Sequence, residues 1–268
     1  MTVKKKPAKK PAGAKRFLFV AILIVAAGAF IFSGIKLISI YSSYRKGSDT
    51  YDWIEDLSMR DPVTPTSGES QPEERPEDVY FNVAALQEVN SDAAGYLYAK
   101  DVLSYPVVQG TDNSYYLKHL FDGTPNDCGC VFIDCNIPEG FEARNCILYG
   151  HDMKDGSMFA HLHYYADEEY YQSHKEFHVF TEDHHYIYKV LSAFTTKTDG
   201  YVYTHYFSGD EDFVDFLYLV AGSCPYETDY GELTADRKVI TMSTCVGNND
   251  NLRFVVVLIR DREIFNLS

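Results

Sequence analysis

The chain is short of positive charge. Its 24 Lys and Arg face 39 Asp and Glu, a formal charge of −15, and the deficit over most of its length is larger still. Lys4, Lys5, Lys6, Lys9, Lys10, Lys15 and Arg16 crowd the first 16 positions with no acid among them, which leaves −22 on the remainder. So acidic a body excludes nucleic acid as a partner, because phosphate binding needs a basic surface. Metal-site patterns are missing as well. Cys128, Cys130, Cys135 and Cys146 fall within 19 residues, but their C-x-C-x4-C spacing lacks the paired C-x2-C of a zinc site. No Cys or carboxylate is spaced to complete a site with His161 and His163 or with His184 and His185. Asp210, Glu211 and Asp212 lack the loop spacing of a calcium site and suit a helix N-terminus instead. No metal and no cofactor is expected, and no internal repeat is visible.

Charge is also missing from residues 17–35, which as a helix span about 28 Å, close to the hydrocarbon thickness of a bilayer. Basic residues lie only on the N-terminal side, so the positive-inside rule leaves residues 1–16 in the cytoplasm and the rest outside. Ala27-Gly28-Ala29 resembles a signal-peptide cleavage site, but the apolar run continues through Phe30, Ile31 and Phe32. The expectation is a single-pass cell-membrane protein with a basic cytoplasmic head at 1–16 and a transmembrane anchor at 17–38. Residues 39–78 follow as a juxtamembrane helix, weakened by Gly47, and a spacer. The spacer, DPVTPTSGESQPEERPED at 61–78, is rich in Pro, Glu and Ser and reads as extended. The folded domain is placed at 79–268. Six cysteines in an exported chain suggest disulfides, whose pairing cannot be read from spacing.

Within the domain the periodicity predicts a short helix around Val83–Val89, strands at 95–99 and 104–110, and a turn or short helix at 113–121. Strands follow at 130–135 and 146–149, then a helix at 167–174. A hairpin over 177–180 and 186–194 turns at Asp183, and an amphipathic helix occupies 210–221. Two β-branched runs, 238–245 and 253–260, close the chain around a Gly/Asn/Asp turn. Many short strands with scattered short helices predict a closed, mostly antiparallel β-barrel.

Cys245 ends the first of those two closing strands and Arg253 opens the second, so a thiol and a guanidinium meet at one end of a sheet, where a thiolate is favoured. A cysteine nucleophile also needs a proton donor for its leaving group. Nine histidines could serve. His151 stands out because it follows Gly150 at the end of an apolar strand, where a sheet presents it at a rim. The others lie in Tyr/His/Asp/Glu-rich stretches of surface character.

YPVVQGTDNSYYL at 105–117, YGHDMKDGSMF at 149–159 and TMSTC at 241–245 followed by Arg253 together resemble the class B sortases. The likeness spans roughly 79–260, and the anchor and spacer suit that family's layout. It implies an eight-stranded sortase-type β-barrel and a cell-surface transpeptidase. Carried over by position, Cys245 matches the nucleophile, His151 the acid/base and Arg253 the arginine. Ser243 and Thr244 would help form the peptide groove, and the 200–237 segment, with Tyr226 and Thr228, a substrate-selecting wall. The implied partners are surface proteins bearing a C-terminal sorting signal, NPxT-like in this class, and a peptidoglycan precursor amine. The implied reaction cleaves that signal after Thr through a thioacyl-enzyme. Polymerising pilin subunits is the alternative within the family. A cell-surface cysteine peptidase is the alternative outside it, although a papain-like enzyme would place Cys ahead of His and at a helix start. A caspase-like enzyme has the right order, but its Q-A-C-x-G signature is absent. A tethered module that only binds peptides would have no use for Cys, His and Arg together.

Overall fold

The computed structural model describes residues 12–60, 80–247 and 249–265. The apolar run and the polar stretch after it form one helix, α1 (Ala12–Ser58). From Arg16 on it is long and apolar enough to cross a membrane, and Phe17, Phe30 and Ile38 stand exposed along it. Gly47 does not break the helix. A methyl group there would come within 2.9 Å of Cys128 Sγ, so the residue that weakens helix propensity also permits close packing on the 128–130 loop. The chain divides into two compact units, Met1–Arg45 and Lys46–Ser268. The second thus takes in the last turns of α1 as well as the stretch from residue 79 onward. Most of the basic head, and the spacer at 61–78, lie outside the described residues.

Beyond α1 come β1 (Met59–Arg60) and β2 (Tyr80–Phe81), which pair with each other. α2 (Val83–Val89) follows, capped by the Asn82 side chain accepting from Ala85 N–H. Next are β3 (Ala93–Ala99), β4 (Leu103–Val108), β5 (Val131–Ile133) and β6 (Asn145–Tyr149). A 3-10 helix at Ala160–Ala166 leads into α3 (Glu168–Ser173), β7 (Glu176–Phe180) and β8 (His184–Lys197). α4 (Asp210–Ala221), β9 (Val239–Val246) and β10 (Asn249–Phe265) complete the chain.

The eight strands from β3 to β10 close into a barrel in the order β10-β8-β7-β3-β4-β5-β6-β9. Six neighbouring pairs are antiparallel, and β4/β5 and β6/β9 are parallel. Closure leaves the barrel itself without an open edge. Pro106, which can donate no ladder bond, pairs with Tyr96 of β3 but lies outside the β4/β5 register of Val107 and Val108.

α4 buries Phe213, Phe216, Leu217 and Val220, the i, i+3, i+4, i+7 stripe of an amphipathic helix. That stripe packs on Leu191, Val239, Val255, Val257 and Ile259. Complete burial of each large apolar side chain contributes roughly 1.5–3 kcal/mol. Strand side chains alternate with period two, so Val255 and Val257 put Arg253 on the face that α4 covers further along β10. Where that cover ends, the face opens.

Candidate active site

The strand register brings distant residues together. β6 runs parallel to β9 with Tyr149 opposite Ser243. Continued two positions, that register sets His151, just past the end of β6, level with Cys245 near the end of β9. On the other side of β9, Arg253 is opposite Cys245. All three are half-buried and line one cleft of about 380 Å³, together with Ser243 and Thr244.

His151 is held from several directions. A Cβ on Gly150 would lie 2.6 Å from the ring of buried Phe159, so the backbone passes where a side chain cannot. Gly150 N–H donates to Ser243 O at 3.2 Å, and Phe159 N–H donates to His151 O at 2.9 Å. The Thr244 hydroxyl donates to Gly150 O at 2.8 Å. The imidazole Nε2 lies 2.8 Å from Leu117 O. A carbonyl can only accept, so Nε2 carries the proton, and in the neutral ring Nδ1 keeps the lone pair. Behind the ring sits Gly129 in the left-handed region (φ 63°), where a Cβ would meet His151 Cδ2 at 3.0 Å.

Arg253 Nη1 donates to Asp250 O at 3.0 Å and Leu252 O at 2.8 Å, which fixes the guanidinium against its own turn at the cleft edge. Ser243 and Thr244 line the cleft with their hydroxyls turned into the protein. Ser243 Oγ meets Tyr203 OH at 2.8 Å, while Thr244 braces Gly150. Burial pushes the Tyr203 phenol pKa up, and the Ser243 hydrogen bond only partly offsets it, so the phenol stays protonated. The carbonyl of Cys245 is 2.9 Å from His163 Nε2.

Other cleft residues were not singled out by sequence. Leu117, Asn113 and Tyr149 fall inside the quoted motifs, but nothing in those strings marks their side chains or carbonyls as lining. Asp134 braces two of them, accepting from Asn113 Nδ2 and from Tyr149 OH, both at 2.9 Å. Burial alone would raise the Asp134 pKa, but the Asn113, Asn136 and Tyr149 hydrogen bonds together hold it below the usual carboxylate range. From the 200–237 segment it is Tyr203 that reaches the cleft. Tyr226 and Thr228 line a separate hollow, their hydroxyls donated to the carbonyls of Tyr165 and Leu191. Two histidines of surface character by sequence, His178 and His185, are buried and face each other at 2.9 Å. All six cysteines are free thiols. Among the described residues no three of His, Cys, Asp and Glu gather as a metal site would require.

Residues 100–260 match the Sortase domain family. Sortase B of Listeria monocytogenes is 32% identical over 239 residues, covering 88% of this chain and 93% of its own length. The crystal structure of sortase B from Bacillus anthracis in complex with AAEK1 superposes with a TM-score of 0.67 at 30% identity, covering 83% of this chain and all of that one. The Staphylococcus aureus sortase B–substrate complex gives a TM-score of 0.62 at 28% identity, covering 67% of this chain and 84% of that one.

Proposed function

We propose that this chain, which belongs to the sortase family and within it to class B, cleaves a C-terminal sorting signal after Thr and joins the new carboxyl end to a cell-wall amine. It is a cysteine transpeptidase of the sortase B type. Cys245 is the nucleophile: its sulfur attacks the Thr carbonyl, the carbon–nitrogen bond breaks, and a thioester remains on the enzyme. His151 takes the thiol proton as the sulfur attacks and gives it to the departing amine; it then takes a proton from the incoming amine and returns it to the sulfur as that amine's attack opens the thioester. Arg253 offers N–H donors to the oxyanion of each tetrahedral intermediate or to the peptide behind it, a role that needs fixed donors. Ser243 and Thr244 shape the groove floor, holding Tyr203 and Gly150 in place.

The observation that carries this reading is the common level of His151, Cys245 and Arg253 at one cleft. α1 would anchor the enzyme with residues 1–16 in the cytoplasm and the barrel outside, as the basic flank requires. The substrates would be surface proteins with an NPxT-like signal, and the acceptor a peptidoglycan precursor amine. The likeness to the Staphylococcus aureus sortase B–substrate complex supports a substrate seat on this chain. The test is a sorting-peptide library incubated with the full chain in detergent, with and without a diamino acid amine. The account expects amine-dependent product that Cys245→Ala abolishes. It expects Arg253→Lys to lose about a hundredfold in rate with the fold intact, because a point charge cannot replace a planar fork. Equal turnover without amine would make the enzyme a peptidase.

A further inference from the structure

His163 lies outside the cleft lining and has no part in the mechanism above, yet it touches the nucleophile's own backbone. It sits on the 3-10 helix Ala160–Ala166, with its ring over Phe254 at a centroid distance of 5.0 Å. Phe254 is the β10 partner of Thr244. The Nε2 atom is 2.9 Å from Cys245 O and 3.4 Å from Asp152 Oδ2. The carbonyl can only accept, so Nε2–H donates to Cys245 O, and the Asp152 carboxylate stands beside it at ion-pair distance. Asp152 is the residue after His151, and its own position is fixed by a bridge to Met158.

The strand ladder is interrupted at this point. Cys245 pairs with Arg253, but the next pair is Val246 with Asn249, across a register shift. Beyond Cys245, therefore, the regular ladder no longer sets the direction of the Cys245–Val246 peptide plane. That plane is rigid, with its C=O and N–H on opposite sides, so a donor on the carbonyl fixes the whole unit and with it the backbone rotation at Cys245. We propose that His163, steadied by Asp152, is a positioning residue for this reaction. It replaces the lost ladder support at the nucleophile and ties the end of β9 to the segment that carries His151. The link runs Asp152–His163–Cys245 O, behind the catalytic pair. Thr244 and Gly150 make the corresponding tie one residue earlier on each strand.

This inference rests on Cys245 being the nucleophile, and its test separates the two claims. The full chain in detergent, as wild type, His163→Ala, His163→Gln and Asp152→Ala, is mixed with a cleavable sorting peptide. Thioester formation on Cys245 is followed by rapid-quench mass spectrometry, with KM and melting temperature alongside. Misplacing a reacting group by a fraction of an ångström to 1 Å costs about tenfold to a hundredfold. His163→Ala should slow acylation by that factor, with KM within about twofold of wild type. His163→Gln should recover most of the rate, because its amide N–H can reach the same carbonyl. Asp152→Ala should lose several-fold and carries the test if His163→Ala does not fold. Wild-type acylation rates in His163→Ala or in Asp152→Ala would overturn the inference alone. So would a Gln variant as slow as Ala, which would mean that the imidazole itself takes part in the chemistry. Absence of any thioester on wild-type Cys245 would overturn the proposed function and this inference with it.

Discussion

Two glycines share a backbone conformation and differ in their neighbours, which makes Gly129→Ala and Gly123→Ala a controlled pair. Both have left-handed φ, 63° and 76°. An L-residue there costs about 1–2 kcal/mol, offset by roughly 0.4–1 kcal/mol because alanine restricts the unfolded chain. For Gly123 little else changes, since the new methyl meets Tyr115 OH at an ordinary 3.5 Å. At Gly129 the methyl would lie 2.6 Å from Tyr116 O, 3.0 Å from His151 Cδ2 and 3.1 Å from Leu117 O. Tyr116 O cannot simply turn aside, because it accepts from Cys130 N–H at 2.8 Å. Nor can the loop retreat, because the hydroxyl of buried Tyr51, near the end of α1, donates to Gly129 O. Overpacking of this kind costs about 1–3 kcal/mol, so Gly129→Ala should be destabilised by roughly 2–4 kcal/mol and Gly123→Ala by about 1 kcal/mol. The functional difference should be larger. Besides Tyr116 O, the methyl crowds Leu117 O, the carbonyl that holds His151 Nε2, and the imidazole itself, and a shift of a few tenths of an ångström there should lower turnover about tenfold. Urea unfolding gives the stabilities, and peptide transpeptidation well below both melting temperatures gives the rates. If Gly129→Ala turns over as fast as Gly123→Ala, the loop does not set the position of His151, and the reasoning fails.

Two further outcomes follow from buried titratable groups. Burial first, and then neighbouring His178 and Arg262, lower the His185 pKa to about 3. The folded state therefore keeps this imidazole neutral while the unfolded chain takes up its proton near pH 6.5. The unfolded state binds more protons in that window, so stability should fall as pH drops from about 6.5 towards 3, by up to about 1.4 kcal/mol per unit. Urea midpoints at pH 7, 6 and 5 check this against His185→Leu, which should flatten the dependence; identical slopes would contradict it. Burial pushes the Cys128 thiol up to about 11, aided by Asp155 and Asp127, pushes Cys130 up to about 12, and raises Cys146 as well. Iodoacetamide at neutral pH should thus spare these three in the native protein and label all six cysteines after denaturation. Adducts on any of the three under native conditions would contradict that burial.

Much of the barrel was legible because its signals are local. Alternation in the last two strands, the polar turn between them and the Phe213-Phe216-Leu217-Val220 stripe each specify an element within a few residues. The rim position of His151 was legible for the same reason, as an apolar strand stopping at Gly150. What was not legible depends on pairing across the chain. The parallel register of β6 with β9 brings residue 151 level with residue 245, and no local pattern encodes it. His178 and His185 sit among polar and aromatic neighbours that suggest surface, yet β7/β8 pairing turns both inward, opposite Ile187 and Phe180. Gly47 weakened the expected juxtamembrane helix because propensity says nothing of Cys128 lying against it. Tyr226 and Thr228 were expected in a substrate-selecting wall through the family likeness alone; their hydroxyls donate to the carbonyls of Tyr165 and Leu191. The sequence marks His163 only as a possible metal partner of His161, since the carbonyl it touches lies 82 residues away.

The central claim is that Cys245 carries the cleaved peptide as a thioester. It is tested most directly by quenching the enzyme with an NPxT-like sorting peptide, without amine, and mapping the adduct by tandem mass spectrometry. The account predicts an acyl group ending in Thr on the Cys245 peptide and nowhere else. That adduct should disappear on addition of a diamino acid amine and be absent from Cys245→Ala. An adduct on another cysteine, or product formed at the wild-type rate by Cys245→Ala, would contradict it.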